Sequence, residues 1–323
     1  MPEYKIDAVV PWVDGNDPVL KARRDRYTDA MSEKHTDEAA PTRFANLGEI
    51  FWCIASINRF APFINKIYIV TDGQDPDMAP FLDKYFPDGH IPVEIVDHKD
   101  IFKGYEDCLP VFNSRSIETV IWRIPGLSEH FVLLNDDFIL TRPLTSLDFF
   151  TEDGRVICYG DKFSTMWARI LTWLKKKPDG RQVATFKSSF LKAVDAVGGS
   201  PYFYYLRHTP RPLLRSFYED FFTEHQDLLL SNINHRFRDA SQFNSQELLY
   251  LSLKKSGRCM PVRTEDVAFF LQPKPRKDYV RKKLGHLKEG NYSFCCFNSL
   301  DTASEADREL VYAWVSGLLG IDI

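Results

Sequence analysis

Apolar residues along the first half of the chain alternate between short continuous runs and helical spacing. The run 6–13 predicts a strand, and the turn-rich segment DGNDP after it predicts a helix that begins near Pro18. From position 46, apolar residues recur every three or four positions and stop before Ala61, which predicts a second helix. Further apolar runs predict strands at 66–71, 93–96 and 131–134.

Strand–helix alternation of this kind predicts an α/β fold with an open, largely parallel, Rossmann-like sheet. From about position 163 onward the spacing becomes mostly helical. Because no Gly/Ser-rich or Pro-rich spacer divides the chain, we expect the helical half, 161–323, to pack on the α/β half, 1–160, as one integrated domain with a cleft between the halves. Helices are predicted near 164–176, 183–197, 211–232, 243–255 and 304–318.

Composition narrows the possible partners and location. The 323 residues are 44% hydrophobic and carry a formal net charge of -4, which argues against bulk attraction to nucleic acid. The start of the sequence resembles no secretory signal, and no apolar run approaches the ~18 residues of a membrane helix. The six cysteines have neither C-x-x-C spacing nor the density of a disulfide framework. We therefore expect a cytoplasmic protein with reduced thiols.

Two adjacent carboxylates follow the strand predicted at 131–134, in the sequence Asn135, Asp136, Asp137. At ~4 Å and an effective dielectric of ~20 they would repel each other by about 4 kcal/mol, and a hard divalent ion such as Mg²⁺ offsets such repulsion. The alternative is that Asp136 caps a turn while Asp137 faces solvent. Asp14 and Asp72 also follow predicted strands, and carboxyl ends of parallel strands share one edge, which favours a cation site.

Asn113 and Ser114 lie where a short helix is predicted to begin. Either residue can cap that helix, and the same N-terminus can hold a phosphate with Arg115 adding charge. Taken alone, capping is the better interpretation.

His208 lies between Arg207 and Arg211 in the sequence RHTPRP. It is a candidate general base for an anionic substrate, and an unperturbed His titrates at ~6.5, so the rate would rise with pH in that region. The alternative is a solvated surface histidine. Arg238 in HRFRDASQFN has the same two interpretations.

The segment 274–288 is strongly basic, with seven Lys or Arg residues and one acidic residue, Asp278. This segment can bind an anionic polymer or the inner face of a membrane. The alternative is a charged surface that contacts only solvent.

The order of these segments resembles the Stealth family. The similar stretches are IDAVVPWVDGNDP, INKIYIVTDGQ, FNSRSIE and LNDDF, followed by the looser RHTPRPLLRSFYEDFF and FCCFNSLDTASEADRELV. Stealth proteins are sugar-1-phosphate transferases of bacterial capsule and exopolysaccharide synthesis, related to the catalytic subunit of the lysosomal-enzyme N-acetylglucosamine-1-phosphotransferase. Pro11 stands where the family more often has Thr.

The resemblance implies a GT-A-like fold and a reaction. A hexose 1-phosphate would pass from a nucleotide diphosphate sugar to a hydroxyl of an oligo- or polysaccharide acceptor, forming a phosphodiester and releasing a nucleoside monophosphate. Asp136, Asp137 and Asn298 would hold Mg²⁺ or Mn²⁺. The catalytic residues would be His208, Arg238 and Asp137. The nucleotide-sugar site would comprise Trp12, Val13, Asp14, Gly15, Asp17 and Asp72, with Asn113, Ser114 and Arg115 at the helix start.

Two other functions use the same residues. A metal-dependent glycosyltransferase would bind the same kind of donor but transfer the sugar at its anomeric carbon. An inactive binding or scaffolding subunit would keep the nucleotide pocket without chemistry. The presence of all four of Asp136, Asp137, His208 and Arg238 argues against the inactive subunit.

Overall fold

The computed structural model describes residues 4–28, 46–174 and 186–322. In chain order its strands are β1 (Ile6–Pro11), β2 (Lys66–Thr71), β3 (Val93–Asp97), β4 (His130–Leu133), β5 (Phe138–Leu140), β6 (Val156–Tyr159), β7 (Asp161–Ser164), β8 (Tyr202–Tyr205), β9 (Arg211–Leu214), β10 (Cys259–Val262), β11 (Ala268–Leu271) and β12 (Phe294–Phe297). Its helices are α1 (Pro18–Thr28), α2 (Glu49–Phe60), α3 (Met78–Tyr85), α4 (His98–Ile101), α5 (Ser114–Val120), α6 (Thr165–Leu174), α7 (Phe186–Ala196), α8 (Arg215–Glu224), α9 (Gln226–Ile233), α10 (Ser245–Lys255), α11 (Tyr279–Glu289) and α12 (Glu305–Leu319).

The central sheet has five strands in the order β3-β2-β1-β4-β9. The first four run parallel, with Val9 opposite both Tyr68 of β2 and Leu133 of β4. β9 joins β4 antiparallel, with Leu133 opposite Arg211. Strands β1, β2 and β4 are short apolar runs that are mostly buried, which is typical of parallel sheets covered by helices, whereas β3 at the edge has only one buried residue. The predicted α/β fold with a largely parallel sheet is confirmed.

Helix α2 connects two apolar cores. Ile50, Ile54 and Ile57 pack into the large cluster that contains the central sheet, while Trp52 and Ala55 pack into a second cluster with α11, α12 and β12. All these residues are buried because the helix lies between two layers. The C-terminal helices are thereby held against the α/β core.

The helix predicted over 211–232 was wrong. Its first four residues form β9, and the rest divides into α8 and α9 at His225, whose backbone is not helical (φ -124°, ψ 58°). Pro212 has no N–H for a helix interior but is tolerated at the edge of the sheet, where β4 supplies a ladder partner. Helical spacing alone does not detect such a partner.

The second half also contains more strands than its spacing predicts. They are four residues long and pair with distant segments: β10 with β6, β8 with β7, and β12 with β11 and β5. Because β9 and β12 pair with strands of the first half, both halves build the sheets. The division of the chain at residue 160 stays a prediction.

All six cysteines lie in the described part of the chain, are buried and are free thiols. Among the helices described, none has both the length and the apolar composition needed to cross a membrane.

Candidate active site

The carboxyl ends of the four parallel strands open into one cavity of about 800 Å³. Trp12 follows β1, Asp72 follows β2, His98 follows β3 and Asn135 lies just beyond β4, and all four line the cavity. In open α/β sheets ligands bind at this edge, where the strand order reverses, here between β1 and β4. Residues from the second half complete the lining: Tyr205, Arg207, His208, Arg211, Arg238, Asn244, Phe270, Phe297, Asn298, Ser299, Leu300 and Asp301.

Asp136 and Asp137 occupy the loop between β4 and β5, and Asn298 follows β12. Asn298 donates from Nδ2 to Oδ2 of Asp137 at 3.2 Å, and the Cys296 thiol donates to the same oxygen at 3.3 Å. The antiparallel pairing of β12 with β5 brings these residues together across 161 positions of sequence. All three residues expected to hold a metal therefore line one cavity.

Burial raises the pKa of both carboxyls. For Asp136 the pKa lies well above its usual range, because repulsion from Asp137 and Glu49 adds to the effect of burial. For Asp137 burial also raises the pKa, while hydrogen bonds from Asn298 and Cys296 favour the ionised form. The unliganded pair therefore resists carrying two negative charges.

These residues fit a divalent cation. Oδ1 of Asp137 is buried and has no hydrogen-bond partner among the described residues, while Oδ2 of the same group is satisfied. Two carboxylates and an amide oxygen are the ligands that hard cations prefer, and a cation would remove the repulsion within the pair. The site is compatible with a divalent metal.

A second possible ligand set shares Asp137. Its carboxylate, His208 and Cys296 present ligand atoms that all lie within 4.8 Å of one another. Burial, with repulsion from Asp137, raises the pKa of the Cys296 thiol well above its usual range. Without a metal the thiol is therefore protonated and donates to Asp137. Asp137 belongs to both possible ligand sets, and the assignment of a cation to Asp136, Asp137 and Asn298 stays a prediction.

The imidazole of His208 is held between aromatic rings. It stacks on Phe270 with ring centroids 4.4 Å apart and 22° between the planes, and Phe138 meets it edge-on at 6.3 Å. Burial and then the charge of Arg211 lower the pKa of His208 to about 4. The ring is therefore neutral near pH 7 and can accept a proton. This differs from the expectation of an unperturbed histidine, because the sequence does not show how deeply the ring is buried.

Besides Arg115, three arginines of the second half of the chain line the same cavity. Arg211 is mostly buried, and its Nε has no hydrogen-bond partner within the ranges that the structure describes. Arg238 donates from Nη2 to Oγ of Ser114 at 2.8 Å. Arg207 is more exposed and pairs with Asp161 at 2.6 Å. Cations in the same cavity as the acidic pair suit a ligand that carries several negative charges.

Asn113 caps helix α5, as the sequence predicted. Its Oδ1 accepts from the backbone N–H of Arg115 at 3.1 Å, and its Nδ2 donates to Gln242 Oε1 at 2.8 Å and to the Phe237 carbonyl at 3.0 Å. Asn113, Ser114 and Arg115 also line the cavity. The cap explains their position, and a role in donor binding stays a prediction.

The predicted nucleotide-sugar residues after β1 divide into two groups. Trp12 and Val13 line the cavity, as does Asp72, which pairs with Arg23 at 2.8 Å. The turn that follows β1 does not line the cavity and is instead fixed by Gln74, which accepts from the Asp14 N–H and donates to Asp17 Oδ2, both at 3.0 Å. The residues of the predicted site that lie outside the lining are Asp14, Gly15 and Asp17.

Sequence reasoning missed five further ionisable residues in the lining, which are Glu49, His98, Glu118, Tyr205 and Asp301. His98 is almost fully buried, burial lowers its pKa to about 4, and its Nδ1 has no partner among the residues described here. It directly follows β3, so the rule applied to Asp72 would have found it. Glu49 begins α2, and burial raises its pKa. The sequence around Glu49 shows only the apolar spacing of a helix, which does not predict that this residue lines a cavity.

Two family models match the chain. Stealth protein CR1, conserved region 1, matches residues 4–32, and Stealth protein CR2, conserved region 2, matches residues 43–157. The second match contains β2, β4, β5 and the acidic pair.

Several curated proteins are similar over part or all of the chain. The capsular polysaccharide phosphotransferase WcwK of Streptococcus pneumoniae is 43% identical over 46% of this chain and 42% of its own length. The exopolysaccharide phosphotransferase SCO6023 of Streptomyces coelicolor is 31% identical over 95% of this chain and 49% of its length. The exopolysaccharide phosphotransferase cps2G of Lactiplantibacillus plantarum is 28% identical over 91% of this chain and 87% of its own length. The chain thus spans less than half the length of the first two relatives.

Among solved structures, the apo structure of the bifunctional glycosyltransferase WbbM aligns with 92% of this chain and 46% of that chain, at 9% identity and a TM-score of 0.49. The two conserved regions and the phosphotransferase relatives agree with each other along the sequence. The chain belongs to the Stealth family.

Proposed function

We propose that the protein transfers a hexose 1-phosphate from a nucleotide diphosphate sugar to a hydroxyl of a saccharide, forming a phosphodiester in capsular or exopolysaccharide synthesis. One observation carries the proposal: a single cavity combines the acidic pair with a neutral histidine and with Arg211 and Arg238. Phosphoryl transfer needs mainly positioning and positive charge around the transferred group, and these residues supply both.

In the proposed step the acceptor oxygen forms a bond to the β-phosphorus of the donor. The bond from that phosphorus to the bridging oxygen breaks, and its electron pair leaves with the nucleoside monophosphate. The hydroxyl proton passes to an imidazole nitrogen of His208, which the stack on Phe270 holds in place. The bond between the sugar and its own phosphate stays intact, so the anomeric configuration is retained.

The charged residues divide the work of stabilising the phosphates. Arg211 and Arg238 donate to the equatorial oxygens of the phosphoryl group as it transfers. Asp136, Asp137 and Asn298 would hold Mg²⁺ or Mn²⁺, which when bound neutralises charge on the diphosphate. Trp12, with the other residues beyond β1 and β2, would contact the nucleotide.

The alternative is a glycosyltransferase that attacks the anomeric carbon with the same donor. Its transition state resembles an oxocarbenium ion, which carries positive charge and gains little from nearby arginines. The buried Arg211 beside His208 therefore favours attack at phosphorus. An inactive scaffolding subunit is disfavoured because the ionisable groups of the cavity are individually positioned by hydrogen bonds and ring stacking.

The products decide between these functions. Purified protein is incubated with Mg²⁺, a panel of nucleotide diphosphate sugars and oligosaccharide acceptors; the nucleotide product is resolved and the saccharide product is analysed by phosphorus NMR. Acceptor-dependent nucleoside monophosphate with a phosphodiester signal is expected. Nucleoside diphosphate with a phosphorus-free product would overturn the proposal in favour of the glycosyltransferase, and no turnover of any donor would favour the scaffolding subunit.

Partners and location follow from this function. The donor is a nucleotide diphosphate sugar, the acceptor is an oligo- or polysaccharide, and nucleic acid has no part. A cytoplasmic location, where such donors are made, and contact of segment 274–288 with polymer or the inner membrane face stay predictions.

A further inference from the structure

One end of the cavity, beyond strands β1, β2 and β3, has mainly apolar walls. We call it the β1–β3 end, and the residues that form it are Trp12, Val13, Val70, Asp72, His98 and Phe112. Val70 belongs to β2, and Val13 packs with Phe112 and Leu20 in one small apolar cluster. This end therefore differs from the part of the cavity that holds the acidic pair, which follows β4.

The imidazole of His98 is enclosed at this end without a hydrogen bond at Nδ1. The residue directly follows β3 and is 5% exposed, and its Nδ1 has no partner among the described residues. Burial lowers the pKa of His98 to about 4, against the attraction of Asp97, so the ring is neutral and can both donate and accept. Buried polar atoms are almost always hydrogen-bonded, and an exception beside a cavity indicates a ligand that supplies the partner.

The indole of Trp12 is in the same condition. It is 7% exposed and lines the cavity, and its Nε1 has no partner within the ranges that the structure describes. Its backbone N–H donates to the Val70 carbonyl at 2.9 Å, which fixes the residue at the edge of the sheet. Asp72 differs, because it pairs with Arg23 at 2.8 Å. The β1–β3 end thus offers a ligand one obligate donor and one imidazole that can donate or accept.

The position of His98 indicates which part of a donor would reach it. In the strand order β3-β2-β1-β4, His98 follows β3 and the acidic pair follows β4. Three spacings between neighbouring strands separate them, which is roughly 14 Å. In a nucleotide diphosphate sugar the base and the hexose lie at opposite ends of the diphosphate. With the diphosphate at the acidic pair, one of these two groups reaches the β1–β3 end.

The walls of this end suit a base better than a hexose. A hexose presents several hydroxyls, each of which needs a polar partner when it is buried, and the apolar walls do not supply them. A flat heterocycle needs apolar contact on its faces and a few placed hydrogen-bond groups at its edge. The valines and Phe112 offer the first, and Trp12 and His98 offer the second.

We propose that His98 is a specificity-determining residue that binds the nucleobase of the donor through a hydrogen bond to its imidazole, with the Trp12 N–H as a second donor to the base. This inference rests on the proposed function, because it takes the substrate to be a nucleotide diphosphate sugar. A base with a different pattern of donors and acceptors would leave buried groups unpaired, so the β1–β3 end discriminates among bases.

Binding of nucleoside diphosphates without a sugar tests this role apart from turnover. The probes are the diphosphates of uridine, cytidine, adenosine and guanosine, titrated with Mg²⁺ into the protein in a calorimeter. We expect the wild type to bind one of them at least about 10-fold more tightly than the others. His98→Leu, which removes both ring nitrogens, should weaken binding of that nucleotide roughly 10- to 100-fold and reduce the preference by a similar factor.

Further variants separate recognition of the base from a structural role. His98→Asn keeps a polar group near the position of Nδ1 and His98→Gln keeps one near Nε2, so one of the two should recover most of the preference. His98→Leu should keep or raise the unfolding midpoint, because it removes a buried polar atom that has no partner among the described residues. His130→Leu is a matched control and should leave binding unchanged, since His130 also has an Nδ1 without a described partner but does not line the cavity.

Two results would overturn this inference and leave the proposed function standing. One is the same preference among the four bases in the wild type and in all folded His98 variants. The other is an unchanged base preference with a lost preference for ribose over deoxyribose, which would assign His98 to the sugar of the nucleoside. A wild type that binds none of the four diphosphates would contradict the proposed function itself, and this inference with it.

Discussion

Asn298 donates to Oδ2 of Asp137 at 3.2 Å and leaves Oδ1 of that carboxylate buried with no hydrogen-bond partner in the part of the chain that is described. The two residues belong to different halves of the sequence and meet only because β12 pairs with β5. One oxygen is thereby fixed by the protein, and the other is left for a ligand. A cation at Oδ1 would satisfy it and remove the repulsion from Asp136.

We expect Asp137→Asn to abolish divalent-cation binding and to lower kcat by at least about 10³-fold, while the fold is kept because the residue lines a cavity and not the core. Calorimetric titration with Mn²⁺ and a steady-state assay measure the two effects. Asp153→Asn, which changes an exposed carboxylate outside the cavity, is the control and should alter neither. Wild-type turnover in excess chelator would contradict the assignment of these residues to a metal.

Arg238→Lys is expected to lower kcat by about 10²–10³-fold, which is the usual effect of removing one hydrogen-bond donor to a charge that develops in the transition state. Lysine keeps the positive charge but loses the planar fork, whose Nη2 donates to Ser114 at 2.8 Å. The neighbouring Arg236→Lys is a matched control, since Arg236 bonds the carbonyls of Asp107 and Leu109 at 3.3 Å and does not line the cavity. Equal activity losses in both variants would indicate a structural role for Arg238.

The first half of the fold could be predicted because each of its predicted strands is a short apolar run that is recognisable within a few residues of sequence. The predicted strand 66–71 has the observed bounds of β2, and the others differ by one or two residues at an end. In the second half β9 was taken for helix, because RPLLRSFYEDFF has apolar residues at helical spacing and its strand partner lies about eighty positions earlier. Pairing with a distant strand leaves no mark in a short window of sequence.

The residues of the site were predictable where each follows a strand of the parallel sheet. Asp72 and Asp137 follow that rule, and His98, which obeys it equally, was overlooked. Asn298 came only from the resemblance to a family, since nothing in its own neighbourhood predicts contact with Asp137. The protonation states were not predictable, because burial sets them and burial is a property of the assembled fold.

The pH at which protonation of His208 reduces activity should lie far below the pKa of an unperturbed histidine. Burial and Arg211 lower its pKa to about 4, so the neutral, proton-accepting form is already present above that pH and is lost as the pH falls through it. The acidic limb of kcat/KM, which reports the free enzyme, should therefore lie near pH 4 and be absent between pH 6 and 8. A bound cation adds positive charge and moves the limb in the same direction.

NMR titration of the His208 ring in metal-free protein checks this value independently of turnover. In His208→Ala the limb should vanish together with most of the activity. A limb near the ordinary ~6.5 that disappears in the variant would show that the ring is solvated in the free enzyme.

Glu247→Gln is expected to stabilise the protein at neutral pH. Glu247 is fully buried near the start of α10; its Oε1 accepts from the Tyr204 N–H at 2.7 Å, and its Oε2 has no partner among the described residues. Burial raises its pKa well above the usual range, so folding carries no penalty below the unfolded pKa of ~4.3, and the penalty grows as the pH rises from there towards the folded value. Each unit of difference between the folded and unfolded pKa costs about 1.4 kcal/mol of stability, and the uncharged amide avoids this cost.

Urea unfolding should therefore show a gain in the free energy of unfolding for the variant that is small at pH 4.5 and larger at pH 8. The control Glu309→Gln, on the exposed side of α12, should show no such trend. A loss of stability at pH 8 would mean that the carboxylate is needed in its charged form.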